Sequence, residues 1–144
     1  MENKIKIFII DDEEDIRENI ADLLEDLADE FIEASDGLDA MEKYKIHEPF
    51  DCIVCDINMP RMNGVEVIKA IRELGDEKTP FIFFTAFGSR ALMLQSVKYG
   101  AFDFIDKPHF ENLTEIVSNA LNIKKTDDTK DENLISEYKK LFDK

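Results

Sequence analysis

Asp11, Asp12, Asp56, Thr85 and Lys107 stand at or just beyond the ends of short apolar runs, each run a different one except for the first pair. Behind Ile5–Ile10 come Asp11, Asp12, Glu13 and Glu14, and behind Phe31–Ala34 come Ser35 and Asp36. Cys52–Cys55 ends at Asp56, and Phe81–Phe84 ends at Thr85 and Ala86. Ala101–Ile105 is followed by Asp106, Lys107 and Pro108. Three carboxylates brought together repel one another by about 4 kcal/mol per pair at ~4 Å, taking an effective dielectric of about 20. Such a pocket invites a divalent cation, and hard oxygen ligands with room for waters and a phosphoryl oxygen suit Mg²⁺. The metal, Lys107 and Thr85 would then stabilise a phosphoryl group carried by one of the carboxylates. Phosphoryl transfer asks mainly for positioning and charge neutralisation, and an aspartyl phosphate is a recognised covalent intermediate. Taken singly, Asp11 and Asp12 also fit a helix N-cap and first-turn acids. Their placement together with the others is what points to a site.

The elements that must position these residues follow from periodicity. Strands are expected at 4–10, 31–34, 52–55, 81–84 and 101–105. Helices are expected at about 13–28, 38–46, 65–74, 89–98 and 111–123, where apolar residues recur at spacings of three and four. Pro60 and Gly64 mark 56–64 as a loop. Phe81–Phe84 is apolar at every position, as expected of a strand covered on both faces. Five strands alternating with five helices imply an α/β fold, doubly wound, with parallel strands joined by right-handed crossovers. In such sheets ligands bind outside the carboxyl ends of the strands, at the switch in strand order. Residues 1–123 form the expected domain, 124–131 a polar linker, and 132–144 a short amphipathic helix carrying Leu134, Ile135, Tyr138, Leu141 and Phe142.

Charge narrows the partners. The chain of 144 residues has 18 Lys+Arg against 33 Asp+Glu, a formal net charge of -15. A surface of that sign repels nucleic-acid phosphates and anionic membranes, so neither is an expected direct partner. Residues 124–144 carry six Lys and six acids, so the whole excess belongs to the first 123 residues. No apolar run approaches the ~20 residues of a membrane span. Met1-Glu2-Asn3-Lys4 leads straight into a strand-like run without a secretory pattern, so the expected compartment is the cytoplasm. Cys52 and Cys55 are spaced C-x-x-C, but a strand points residues three apart to opposite faces. They are read as two small buried hydrophobes rather than a redox or metal pair.

The spaced set Asp11-Asp12, Asp56 in Asp56-Ile57-Asn58-Met59-Pro60-Arg61-Met62-Asn63-Gly64, Thr85-Ala86 and Lys107-Pro108 closely resembles the receiver domain of bacterial two-component response regulators. The match covers about residues 4–123. The resemblance implies a flavodoxin-like (βα)5 sandwich, CheY-like, with sheet order 2-1-3-4-5. It implies a phosphoacceptor rather than an enzyme with a separate substrate, catalysing only its own phosphorylation and dephosphorylation. Asp56 would accept a phosphoryl group from a histidine kinase, a phosphotransfer protein or a small donor such as acetyl phosphate. Asp12 and Asp56 would supply side-chain oxygens to Mg²⁺ (or Mn²⁺ in its place), Asn58 its backbone carbonyl, and Asp11 would act through a water. Lys107 would pair with phosphoryl oxygens, Thr85 would hydrogen-bond one of them, and Ala86 and Asn58 belong to the same binding region. Phe104 matches the aromatic switch position, and Lys107-Pro108 is commonly cis in the family. Thr85 and Phe104 would move together and alter the face of the fourth helix, fifth strand and fifth helix, through which a homodimer could also form. Phe87, two residues after Thr85, cannot orient an attacking water, which implies slow loss of the phosphoryl group.

Two other readings bear on the same residues. Haloacid dehalogenase-like phosphatases also use an aspartyl intermediate, but they want a second acid two residues on, where this chain has Asn58. The first strand leads into acids rather than G-x-G-x-x-G, which disfavours a dinucleotide site. The chain is either a single-domain regulator or the receiver part of a larger one with an enzymatic output domain.

Overall fold

The hydrophobic runs of the chain form the middle layer of a three-layer sandwich. The computed structural model describes residues 4–86, 90–107 and 109–125. Along the chain the elements are β1 (Lys6–Ile10), α1 (Glu14–Leu23), β2 (Glu30–Ala34), α2 (Gly37–His47) and β3 (Cys52–Asp56). They continue with α3 (Gly64–Glu73), β4 (Phe81–Thr85), α4 (Arg90–Val97), β5 (Asp103–Asp106) and α5 (Leu113–Lys125). The strands pair in parallel in the order β2-β1-β3-β4-β5. The expected doubly wound architecture and its strand order are both observed.

Alternation along the central strands sorts side chains into two cores. Phe8, Ile10, Ile53, Cys55, Phe81 and Phe83 face one side, where Ala40 and Tyr44 of α2 and Val67, Ile68 and Ile71 of α3 cover them. Ile7, Ile9, Cys52, Val54, Ile82 and Phe84 face the other, under Ile20 of α1 and Leu113, Val117 and Ala120 of α5. β3 and β4 are buried along their whole lengths. Each fully buried Ile or Phe stabilises the fold by roughly 1.5–3 kcal/mol relative to its exposed state. Cys52 and Cys55 are buried in opposite cores with no disulfide between them, as expected of strand neighbours three apart.

Several boundaries differ from expectation, β1 beginning at Lys6 rather than 4 among them, and three differences have a visible cause. α1 stops at Leu23 rather than near 28, because its last turn has no base to meet the helix dipole while Glu25 and Asp26 follow. Leu24 and Leu27 still pack on the core from a turn closed by Leu27 N–H donating to Leu24 O at 2.9 Å. β5 begins at Asp103 rather than 101, since the Ala101 N–H turns back to Ser96 O. α5 begins at Leu113 rather than 111, where the Leu113 N–H closes a turn onto Phe110 O. The expected helix at 132–144, most of the expected linker, Phe87 and Pro108 lie outside the described residues.

Candidate functional site

The strand register brings the chemistry-bearing residues to one rim. Ile10 pairs with Cys55, so the next residues, Asp11 and Asp56, are neighbours at the carboxyl ends of β1 and β3. That is where the strand order switches, from β2 on one side of β1 to β3 on the other. Asp56 pairs with Phe84, which places Thr85 one step beyond it on β4. Thr85 pairs with Asp106, and the Lys107 N–H donates to Thr85 O at 2.8 Å, so β5 delivers Lys107 to the same rim.

The loop after Asp56 is held from behind. The Ile57 N–H donates to Phe84 O at 3.1 Å and the Gly64 N–H to Ile57 O at 2.9 Å. A Cβ on Gly64 would lie 2.6 Å from the carbonyl oxygen of Asp56 and 2.9 Å from the Phe83 ring, so only glycine lets α3 start this close to the strand. Asn63 caps α3 by accepting from the Glu66 N–H, and Glu66 reciprocates on the Asn63 N–H.

Asp11 and Thr85 are fully buried, and Asp56 is 4% exposed. Asp12 is exposed, as are Asn58 and Ala86, the first residue past β4. Lys107 Nζ lies between two carboxylates, 2.8 Å from Asp11 Oδ2 and 3.3 Å from Asp56 Oδ2. Asp56 Oδ1 accepts from the Asn58 N–H at 3.2 Å, and Asn58 Nδ2 donates to Thr85 Oγ1 at 3.3 Å. Phe104 is half-buried, its ring stacked on Phe83 with centroids 5.9 Å apart. The rim therefore gathers Asp11, Asp12, Asp56, Asn58, Thr85 and Lys107, while Phe104 packs into the core below.

Burial and mutual repulsion dominate the electrostatics. Burial, reinforced by Asp11 and opposed by Lys107, pushes the Asp56 carboxyl up to about 6. Burial likewise raises Asp11. Burial by itself would lower Lys107, but its contacts with Asp11 and Asp56 outweigh that, and its affinity for the proton rises. Asp11, Asp12 and Asp56 offer oxygens all within 4.8 Å of one another. Asp11 Oδ2 is buried and meets the Lys107 ammonium at 2.8 Å, an ion pair that leaves the oxygen a lone pair for a cation. Three carboxylates against one ammonium leave two negative charges uncompensated, which a hard divalent cation matches in sign, size and donor type.

Arg17 had no part in the sequence reading of the site, yet it touches it. Its Nη1 donates to the backbone oxygen of Asp11 at 2.8 Å. The available signal is that Arg17 is the lone base in α1, six residues after Asp11.

The family model for the response regulator receiver domain matches residues 7–118 of the chain. The chain belongs to the response regulator receiver family. It is 35% identical to the chemotaxis protein CheY of Bacillus subtilis over 119 residues, which is 81% of this chain and 98% of that protein. It is also 35% identical to the transcriptional regulatory protein TdiR of Thauera aromatica, covering 83% of this chain but only 52% of that protein. Among solved structures, a response regulator receiver domain protein from Clostridium thermocellum matches with a TM-score of 0.75 at 29% identity. That likeness covers 84% of this chain and 97% of the other. The response regulator domain of Thermotoga maritima CheB matches with a TM-score of 0.71 at 30% identity, covering 83% and 98% respectively. Receiver domains are signalling domains, and they interact with histidine kinases or phosphotransfer proteins. No helix among the described residues is long and apolar enough to cross a membrane.

Proposed function

We propose that this receiver is a Mg²⁺-dependent phosphoacceptor in which Asp56 takes a phosphoryl group from the phosphohistidine of a kinase or phosphotransfer protein, or from a small acyl phosphate. The observation that carries the reading is the pairing of a buried Asp56 with Lys107 and Asp11 at the switch point of the sheet. A carboxylate oxygen of Asp56 attacks phosphorus. With a phosphohistidine the bond from phosphorus to nitrogen breaks, and the nitrogen leaves with the electron pair and takes up a proton. With an acyl phosphate the bond from phosphorus to the bridging oxygen breaks, and a carboxylate leaves with the electron pair. Asp11, Asp12, Asp56 and the Asn58 carbonyl would hold the cation, whose chemistry is neutralisation of charge on the phosphoryl oxygens. Lys107 already faces Asp56 and can transfer its contact to a phosphoryl oxygen without a long movement. The Thr85 hydroxyl accepts from Asn58 Nδ2 at 3.3 Å and carries a proton that would turn toward another phosphoryl oxygen.

The output follows from what those contacts withdraw from the core. Thr85 ends β4 and pairs with Asp106 of β5, two residues beyond Phe83 and Phe104, whose rings stack. Movement of Thr85 toward the phosphoryl group biases Phe104 and the face made by α4, β5 and α5, a shift between populations of two states. Phosphotransfer partners and a second copy are the ligands expected to respond to that face. The cation requirement is tested with acetyl phosphate: label should accumulate with Mg²⁺ or Mn²⁺ and vanish with chelator. Equal labelling in chelator would reject the metal assignment.

A further inference from the structure

Arg17 lies back over the end of β1 with its side chain 15% exposed. Its Nη1 donates to Asp11 O at 2.8 Å, and its Nε donates to Glu33 Oε1 on β2 at 3.1 Å. The other polar atoms of Asp11 are engaged elsewhere. Its N–H donates to Ala34 O at 3.1 Å, its Oδ1 accepts from the Glu13 N–H at 2.9 Å, and its Oδ2 faces Lys107 at 2.8 Å. The carbonyl that Arg17 holds belongs to the peptide unit joining Asp11 to Asp12. Because that unit is planar, fixing it fixes how the chain leaves both residues. Asp11 and Asp12 supply two of the three clustered carboxylates.

We propose that Arg17 is a positioning residue for the divalent-cation site, clamping the Asp11–Asp12 peptide so that both carboxylates converge on one point, with Glu33 orienting the guanidinium. The inference rests on the phosphoacceptor reading above. It has an unusual sign. A guanidinium near a cation site opposes cation binding by Coulomb repulsion, so if Arg17 acted through charge alone its removal would tighten Mg²⁺. A clamp predicts the reverse, because partners that orient ligands change metal affinity by roughly 10–100-fold when lost.

The test is calorimetric titration of the full chain with MgCl₂, beside thermal melting without metal. Arg17→Ala should weaken Mg²⁺ binding about tenfold. Arg17→Lys keeps the charge but cannot serve both acceptors in the same fork, and should fall between the two. Glu33→Gln, which leaves Arg17 its charge but loosens its orientation, should weaken binding slightly. A merely structural role would lower the melting temperature and leave the Mg²⁺ affinity where it was. Unchanged or tighter binding by Arg17→Ala overturns the proposal. Should that variant fail to fold, wild-type affinity in Arg17→Lys overturns it. A wild-type chain that binds no Mg²⁺ removes the underlying site reading, and the proposal with it.

Discussion

Lys107 faces two buried carboxylates and neutralises only part of their charge, so the site is under electrostatic strain before any ligand arrives. Asp56 shows the consequence. Its carboxyl is raised to about 6 by burial, so folding favours its protonated form. The stability tied to that group is fully present below the unfolded carboxylate range and is lost as pH rises through about 6. Asp56→Asn should therefore stabilise the metal-free protein at neutral pH, by order 1–3 kcal/mol, and by much less near pH 4. Denaturant melts at the two pH values measure this, and a variant less stable than wild type at neutral pH contradicts it. The acids at this scale were legible because each follows an apolar run. What spacing could not show was depth: Asp11 and Asp12 are adjacent, yet one is fully buried and the other exposed. Nor could it show Arg17, because a guanidinium seeking a backbone carbonyl has no periodic signature.

The elements act as levers with tight tolerances. α3 starts at Gly64, where an added Cβ would collide with the Asp56 carbonyl, the Phe83 ring and Ile57 Cα. Gly64→Ala must push the loop away from the strand end, at a cost of about 1–3 kcal/mol for overpacking in a filled interior. The same displacement moves the Asn58 N–H that Asp56 Oδ1 accepts from. The variant should lose stability and label more slowly with acetyl phosphate at saturating Mg²⁺. Wild-type labelling by a destabilised variant would show that the loop adapts. Element types and their order were readable from periods of two and 3.6. The ends were less so, since apolar spacing alone carries Leu24 and Leu27 forward as helix. In the structure they reach the core from a turn.

At the scale of the whole molecule, the site occupies one end of the sheet and a structural polar network the other. Asp76, following α3, accepts from the hydroxyls of Tyr44 and Thr79, each at 2.6 Å. Arg72 bonds the Asp76 carbonyl at 3.0 Å and the Tyr99 carbonyl at 2.8 Å, tying α3 to the end of α4. Burial opposes the charged form of Asp76, but the Thr79 and Tyr44 hydrogen bonds outweigh it and its pKa is lowered. A lowered carboxylate contributes stability above its unfolded pKa and loses it as pH falls through the folded one. Tyr44→Phe should cost about 1.5–3 kcal/mol at neutral pH, the range for a hydrogen bond to a charged group, and less in acid. An unchanged neutral-pH melt would contradict this. The two slopes oppose each other, with Asp76 favouring neutral pH and Asp56 acid. The net charge of -15 sets up a field that repels polyanions. The chain spans nearly all of the Bacillus subtilis CheY but about half of TdiR.

A single carboxylate, that of Asp56, is expected to carry the phosphoryl group. This is tested most directly by incubating the chain with acetyl phosphate and Mg²⁺, reducing the acyl phosphate with borohydride, and mapping the product by peptide mass spectrometry. Homoserine at position 56, absent from Asp56→Asn treated alike, is the predicted result. Equal labelling of Asp56→Asn, or a modified residue elsewhere on the rim, would contradict it.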